Sequence, residues 1–181
     1  DFIDLQFIGT EYNGQPYDRV SQNVNIDAVT IHGIEMRGGL WLDEWLAPGT
    51  SLQYSAAYAK GRNETDDLPL DSVAPLKGVI GLHYDAPSET WGAKLVLTAV
   101  NGKQRHHIAT ENGVASHGYG VWDWSAYWHI QQDLTLNVSA FNLLDKSYVH
   151  WEDIRGLNDS ANIQRYTQPG RHVAVSVQYR F

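Results

Sequence analysis

The chain contains no cysteine. It therefore has neither a disulfide framework nor a thiolate metal site. It also lacks any run of about 18 apolar residues, which excludes a transmembrane helix. It does not exclude a membrane barrel, whose strands alternate and never look apolar on average. Positive charge is scarce: 13 Lys and Arg stand against 21 Asp and Glu, for a net charge of -8. With no basic stripe to neutralise phosphates, nucleic acid is not an expected partner. No leader peptide is read at the start. The chain opens inside an alternating segment, Phe2-Ile3-Asp4-Leu5-Gln6-Phe7-Ile8, and is taken as a mature product or a C-terminal fragment.

What the sequence does have is amphipathic aromatic side chains. Its 7 Trp and 10 Tyr outnumber its 4 Phe and 1 Met. Such rings suit a membrane–water interface, where one end is apolar and the other wet. They equally suit a soluble sugar-binding β-sandwich. The last residues favour the first reading. Val173, Val175, Val177, Tyr179 and Phe181 share one parity, while His172, Ala174, Ser176, Gln178 and Arg180 share the other. Successive side chains of a strand point to opposite faces, so one face is apolar. A closing strand that ends on Phe is what the last strand of an outer-membrane barrel looks like. Val177, Tyr179 and Phe181 are the expected assembly signal.

The same alternation predicts eight strands: 1–9, 23–42, 50–60, 75–84, 91–102, 119–130, 134–144 and the terminal strand after Gly170. The connections at 43–49, 85–90 and 131–133 are short, and those at 10–21, 61–73, 103–118 and 146–168 are long. Strands of about 9–12 residues, with short turns at one end and long loops at the other, form an antiparallel up-and-down transmembrane wall. In hydrocarbon every backbone N–H and C=O needs an internal partner, so such strands survive only in a closed barrel. Eight strands can close alone, as an anchor or a small-solute channel. They can also be one arc of a larger barrel, with two edges left to pair elsewhere.

Two segments separate these options. Phe141-Asn142-Leu143-Leu144-Asp145-Lys146-Ser147-Tyr148 resembles the Asn-Leu-x-Asp-Lys-x-Tyr box on the penultimate strand of TonB-dependent outer-membrane receptors. Ile154-Arg155-Gly156-Leu157, followed by Tyr166-Thr167-Gln168-Pro169-Gly170-Arg171, resembles the haem, haemoglobin and haemophore branch of that family. Gly33-Ile34-Glu35 and Ala74-Pro75-Leu76-Lys77 resemble two further strand elements of it. The motif residues are thus Asn142, Leu143, Asp145, Tyr148, Pro169, Gly170 and Arg171. The resemblance implies that residues 1–181 are the C-terminal part of a 22-stranded plugged barrel. It implies binding and energised uptake of haem or a haem-carrying protein. TonB would act through an N-terminal part not present here, and lipid and lipopolysaccharide would surround the wall. The C-terminus would be periplasmic and the long loops extracellular.

Imidazole can hold haem iron. His106, His107 and His117 share one predicted loop, and His150 lies in another, so these four are the candidate haem contacts. Adjacent histidines in an extended segment would point apart. Trp151 is expected at the membrane interface. Glu64, Asp66, Asp67 and Asp71 are read as a solvated acidic loop, and His83, His129 and His172 as lumen-facing hydrogen-bonding groups. Trp122, Trp124 and Trp128 are read as a lipid-facing stripe. No nucleophile–base pair or metal-ligand spacing is present, so neither catalysis nor a resident cofactor is expected. Haem would be cargo.

Overall fold

The computed structural model describes residues 2–26 and 28–181. Asp1 and Asp27, which fall in predicted strands, lie outside the described residues. Ten strands follow one another: β1 (Phe2–Tyr12), β2 (Gln15–Ile26), β3 (Val29–Trp41), β4 (Thr50–Asn63), β5 (Leu68–Pro69), β6 (Lys77–Asp85), β7 (Trp91–Val100), β8 (Tyr119–Gln131), β9 (Leu134–Phe141) and β10 (His172–Tyr179). One short helix, α1, spans Trp151–Ile154. The main sheet has the order β10-β9-β8-β7-β6-β4-β3, with β5 beside β4. Every neighbouring pair is antiparallel. This is the expected meander. β3 and β10 lie at opposite edges of it and do not pair with each other among the described residues. The sheet is an open wall, so the self-closed eight-stranded alternative is not what forms.

The first two predicted boundaries are corrected. Residues 10–21, expected as a long loop, are mostly strand. β1 and β2 form a hairpin in which Tyr12 pairs with Gln15. Asn13 and Gly14 both take positive φ, 51° and 73°, as the two-residue Asn-Gly hairpin turn requires. The predicted strand 23–42 is divided, because β2 pairs with β1 and β3 with β4.

Register carries the alternation across all seven long wall strands. Leu40 pairs with Leu52, Leu52 with Leu82, and Leu82 with Leu95. Leu95 then pairs with Trp124, Trp124 with Ala140, and Ala140 with Val173. One face of the wall is therefore continuously apolar. Its side chains remain exposed: Ile34 is 69% accessible, Val175 63% and Trp128 54%. A soluble sandwich would bury such a face under a second sheet, and no described residue covers it. Tyr84, Trp91 and Trp128 gather near the short-turn end, with the Tyr84 and Trp91 rings 5.0 Å apart. That is the interfacial girdle of a membrane barrel. Trp122, Trp124 and Trp128 lie on this face, as expected.

The opposite face carries Lys94, Asp123, Ser125, Asn137, His83 and His129. His129 Nδ1 lies 2.8 Å from Thr135 Oγ1, and His172 stacks on Phe141 at 4.9 Å. Both histidines thus have partners on the face opposite the apolar one. The wall's face polarity is testable in the complete gene product refolded into phospholipid vesicles. Val175→Lys, at mid-strand on the apolar face, is expected to cost about 2–4 kcal/mol in denaturant titrations. Ser176→Lys, one residue on, should change stability far less. Equal effects would mean that the face assignment is wrong.

Candidate functional site

The largest fully buried side chains are not in the sheet. They are Leu70, Ile154 and Leu157, each from a long connection. Residues 64–76, 101–118 and 142–171 meet at the end of the wall opposite the short turns. Ile108, Trp151, Ile154 and Leu157 form a buried cluster, with Val114, Val149, Ala161 and Tyr166 packed around it. The fully buried Ile154 and Leu157 each contribute roughly 1.5–3 kcal/mol by leaving water. Loops 101–118 and 142–171 thus share one core, and hydrogen bonds from Asp71 join loop 64–76 to them as a single cap.

Polar groups lock the cap. Asp71, only 8% exposed, accepts from Ala109 N at 2.7 Å and from Thr110 N and Thr110 Oγ1 at 3.0 and 2.7 Å. Its backbone carbonyl accepts the Trp151 indole N–H at 2.7 Å. Lys103 is buried, donating to Val73 O at 2.6 Å and Leu70 O at 3.4 Å. Its ammonium sits 5.3 Å from the Trp151 ring centre. Burial pushes this ammonium below its ordinary pKa, and the charge of Asp71 partly offsets the shift. Two sequence expectations are corrected here. Trp151 is a core residue of the cap and not an interface residue. The acidic loop is solvated at Glu64, Asp66 and Asp67, which are exposed, but Asp71 is buried and structural.

The four candidate histidines separate. His106 and His107 lie in a 3-10 turn, Arg105–His107, and are exposed. Their rings are 3.9 Å apart. The turn brings them together, contrary to the extended geometry expected from sequence. Desolvation, followed by the neighbouring charges of His106, Lys103 and Lys60, lowers the His107 pKa and favours the neutral, ligating imidazole. His117 is exposed and lies outside that pair. His150 is half-buried, and its Nδ1 lies 2.8 Å from the Tyr119 hydroxyl.

The Asn-Leu-Leu-Asp-Lys box is a clasp. It follows β9 and does not lie on it, because Asn142 takes φ +50° and ends the strand before the predicted residue 144. Asn142 is 2% exposed. Its side chain accepts from Lys146 N at 2.8 Å and donates to Lys146 O at 2.9 Å and Pro169 O at 3.2 Å. Leu143 N donates to Trp122 O at 2.8 Å. Asp145 accepts from Arg171 N at 2.7 Å. A Cβ at Gly170 would come within 2.7 Å of that carboxylate. The two motif segments, far apart in sequence, thus close the third loop at its base. Tyr148 packs against Tyr119 in a tilted arrangement, with ring centres 4.4 Å apart. Val177, Tyr179 and Phe181 are exposed on the apolar face.

Lys103 and Tyr119 were not singled out by sequence reasoning, Asp71 was read only as part of a solvated acidic loop, and no local pattern marks their roles. The cluster's apolar residues carried a partial signal: Trp151 and Ile154 stand three residues apart, as on one face of a helix. The clasp makes a prediction. Asn142→Ala loses three hydrogen bonds and faces an unfavourable φ, costing about 1–3 kcal/mol. Asn142→Gly relieves only the φ strain and should cost less. Protease nicking within residues 142–171 should follow the order Ala, Gly, wild type; equal nicking rates would dismiss the clasp.

The family description "TonB dependent receptor-like, beta-barrel" matches residues 1–143. Hemoglobin-haptoglobin utilization protein B of Neisseria meningitidis serogroup A is 29% identical over 219 residues, covering 100% of this chain and 27% of its own length. Hemoglobin-binding protein A of Haemophilus influenzae is 28% identical, with 100% and 21% covered. Lactoferrin-binding protein A of N. meningitidis serogroup A is 30% identical, with 89% and 19% covered. The chain therefore spans about a quarter or less of these relatives' length. Among solved structures, the copper transporter OprC superposes with a TM-score of 0.78 at 25% identity, over 100% of this chain and 27% of OprC. The ferric enterobactin receptor PfeA of Pseudomonas aeruginosa gives 0.67 at 18% identity, over 96% and 25%. Wall, register and family match agree, and the chain belongs to the TonB-dependent receptor-like β-barrel family.

Proposed function

We propose that this chain supplies wall strands and the substrate-capturing cap of an outer-membrane receptor for haem or a haem-carrying protein. The observation that carries this reading is the cap itself. Three loops fused around Trp151 present a surface that is already ordered before any ligand arrives, which reduces the entropy lost on binding. Relatives named for haemoglobin binding and haemoglobin-haptoglobin utilization support the haem reading. A relative named for lactoferrin binding supports capture of a protein as the iron source. In this reading the long loops face outward from the cell and Phe181 lies at the periplasmic rim. Lipid and lipopolysaccharide contact the apolar face. TonB engages a part of the receptor outside residues 1–181. The work is binding and energised uptake, without bond chemistry and without a resident cofactor.

Within the cap, His106 and His107 are exposed and paired in one turn, which suits a first contact with haem. The complete gene product, purified in detergent and immobilised, should retain haemoglobin and should not retain ferric enterobactin. Retention of the siderophore with no retention of haemoglobin would overturn the reading. A doubly substituted variant, His106→Ala with His107→Ala, should slow haem-dependent growth of cells that rely on this protein. Unchanged growth and unchanged haem binding would remove these two residues from the site.

A further inference from the structure

Val149 packs against the buried cluster of the cap, and Trp151 belongs to it. His150 lies between them and turns the other way, with its ring against Tyr119 and Tyr148. Tyr119 is the first residue of β8 and has the same parity as Asp123 and Ser125, so it belongs to the lumen face. The three rings lie within 4.4–5.8 Å of one another. This cluster stands where the cap meets the mouth of the lumen.

The backbone on both sides of His150 is fixed. Val149 bridges to Thr167, and Gln168 N donates to Tyr148 O at 2.9 Å. Trp151 is tied to Asp71 O at 2.7 Å. The Tyr119 hydroxyl, 2.8 Å from His150 Nδ1, can accept the Nδ1 hydrogen. That tautomer leaves the lone pair on Nε2. Histidines that ligate metals are held this way, with the other ring nitrogen bonded to a partner that sets tautomer and orientation. The flanking phenol rings add flat apolar surface suited to a planar macrocycle.

We propose that His150 is an axial ligand, through Nε2, for the iron of a metalloporphyrin passing from cap to lumen. Tyr119 is its positioning residue. The site rests on the reading that the cargo is haem. Coordination donates the Nε2 lone pair to ferric iron and releases no proton, because Nδ1 keeps its hydrogen against Tyr119. His106 and His107, exposed on the cap, have no such second partner among the described residues.

The test titrates the detergent-purified complete gene product with haemin and reads the Soret and visible bands. The wild type should show a low-spin imidazole-ligated spectrum. His150→Gln retains a polar side chain but cannot ligate in the same way. It should lose that spectrum and bind haemin at least about tenfold more weakly, and added free imidazole should restore the low-spin bands. Tyr119→Phe keeps the ligand and should keep the spectrum, with affinity reduced on the order of tenfold. An unchanged spectrum and affinity in His150→Gln would overturn the proposal. If that variant is unchanged while the wild type still retains haemoglobin, this site alone is wrong. If the wild type retains neither haemoglobin nor haemin, the receptor reading fails and takes this site with it.

Discussion

The hydrogen bond from the Trp151 indole to the carbonyl of Asp71 joins two loops separated by 80 residues of sequence. The Asp71 carboxylate then binds the backbone of a third loop at Ala109 and Thr110. Around this link Ile108, Ile154 and Leu157 leave water, and Lys103 is drawn in to satisfy carbonyls of residues 70 and 73. Removing either partner would leave a buried polar group unpaired, which costs more than the bond itself contributes. The positions of His106, His107 and His150 all depend on it, because each is set by a segment that this link anchors.

The wall and the cap divide the physics between them. In the wall, backbone ladders satisfy the polar groups, and the apolar face stays exposed for a hydrocarbon solvent. In the cap, water is the solvent, and apolar side chains gather inward as in any globular core. The Asn142–Asp145 clasp sits at the seam. It ends β9, closes the third loop against Pro169 and Arg171, and donates the Asn142 backbone N–H to Asp123 Oδ1 on the lumen face at 2.8 Å. A motif first met as a family signature is therefore a junction between two folding environments.

Much of the wall was legible in the sequence, because a strand's period of two places Leu52, Leu82, Leu95, Trp124 and Val173 on one face whatever their partners. The Asn13-Gly14 turn was also legible and was misread, since polar flanks were given more weight than the turn chemistry. Most of the cap was not legible. Trp151 and Asp71 meet only through tertiary closure, and no periodicity links positions 71, 108 and 151. Reading Trp151 as an interface residue followed composition where packing decided. The His106–His107 pairing depended on a single 3-10 turn that no propensity marks strongly. The Tyr119–His150 contact required knowing both the register of β8 and the path of the third loop.

The central claim is that residues 64–76, 101–118 and 142–171 form one cooperative unit. Hydrogen–deuterium exchange on the complete gene product carrying Trp151→Ala tests it most directly, because local opening shows as lost amide protection. If the cap is one unit, protection falls together in all three segments while β7 to β9 stay protected. Loss confined to residues 142–171, with Ala109 and Thr110 as protected as before, would contradict it.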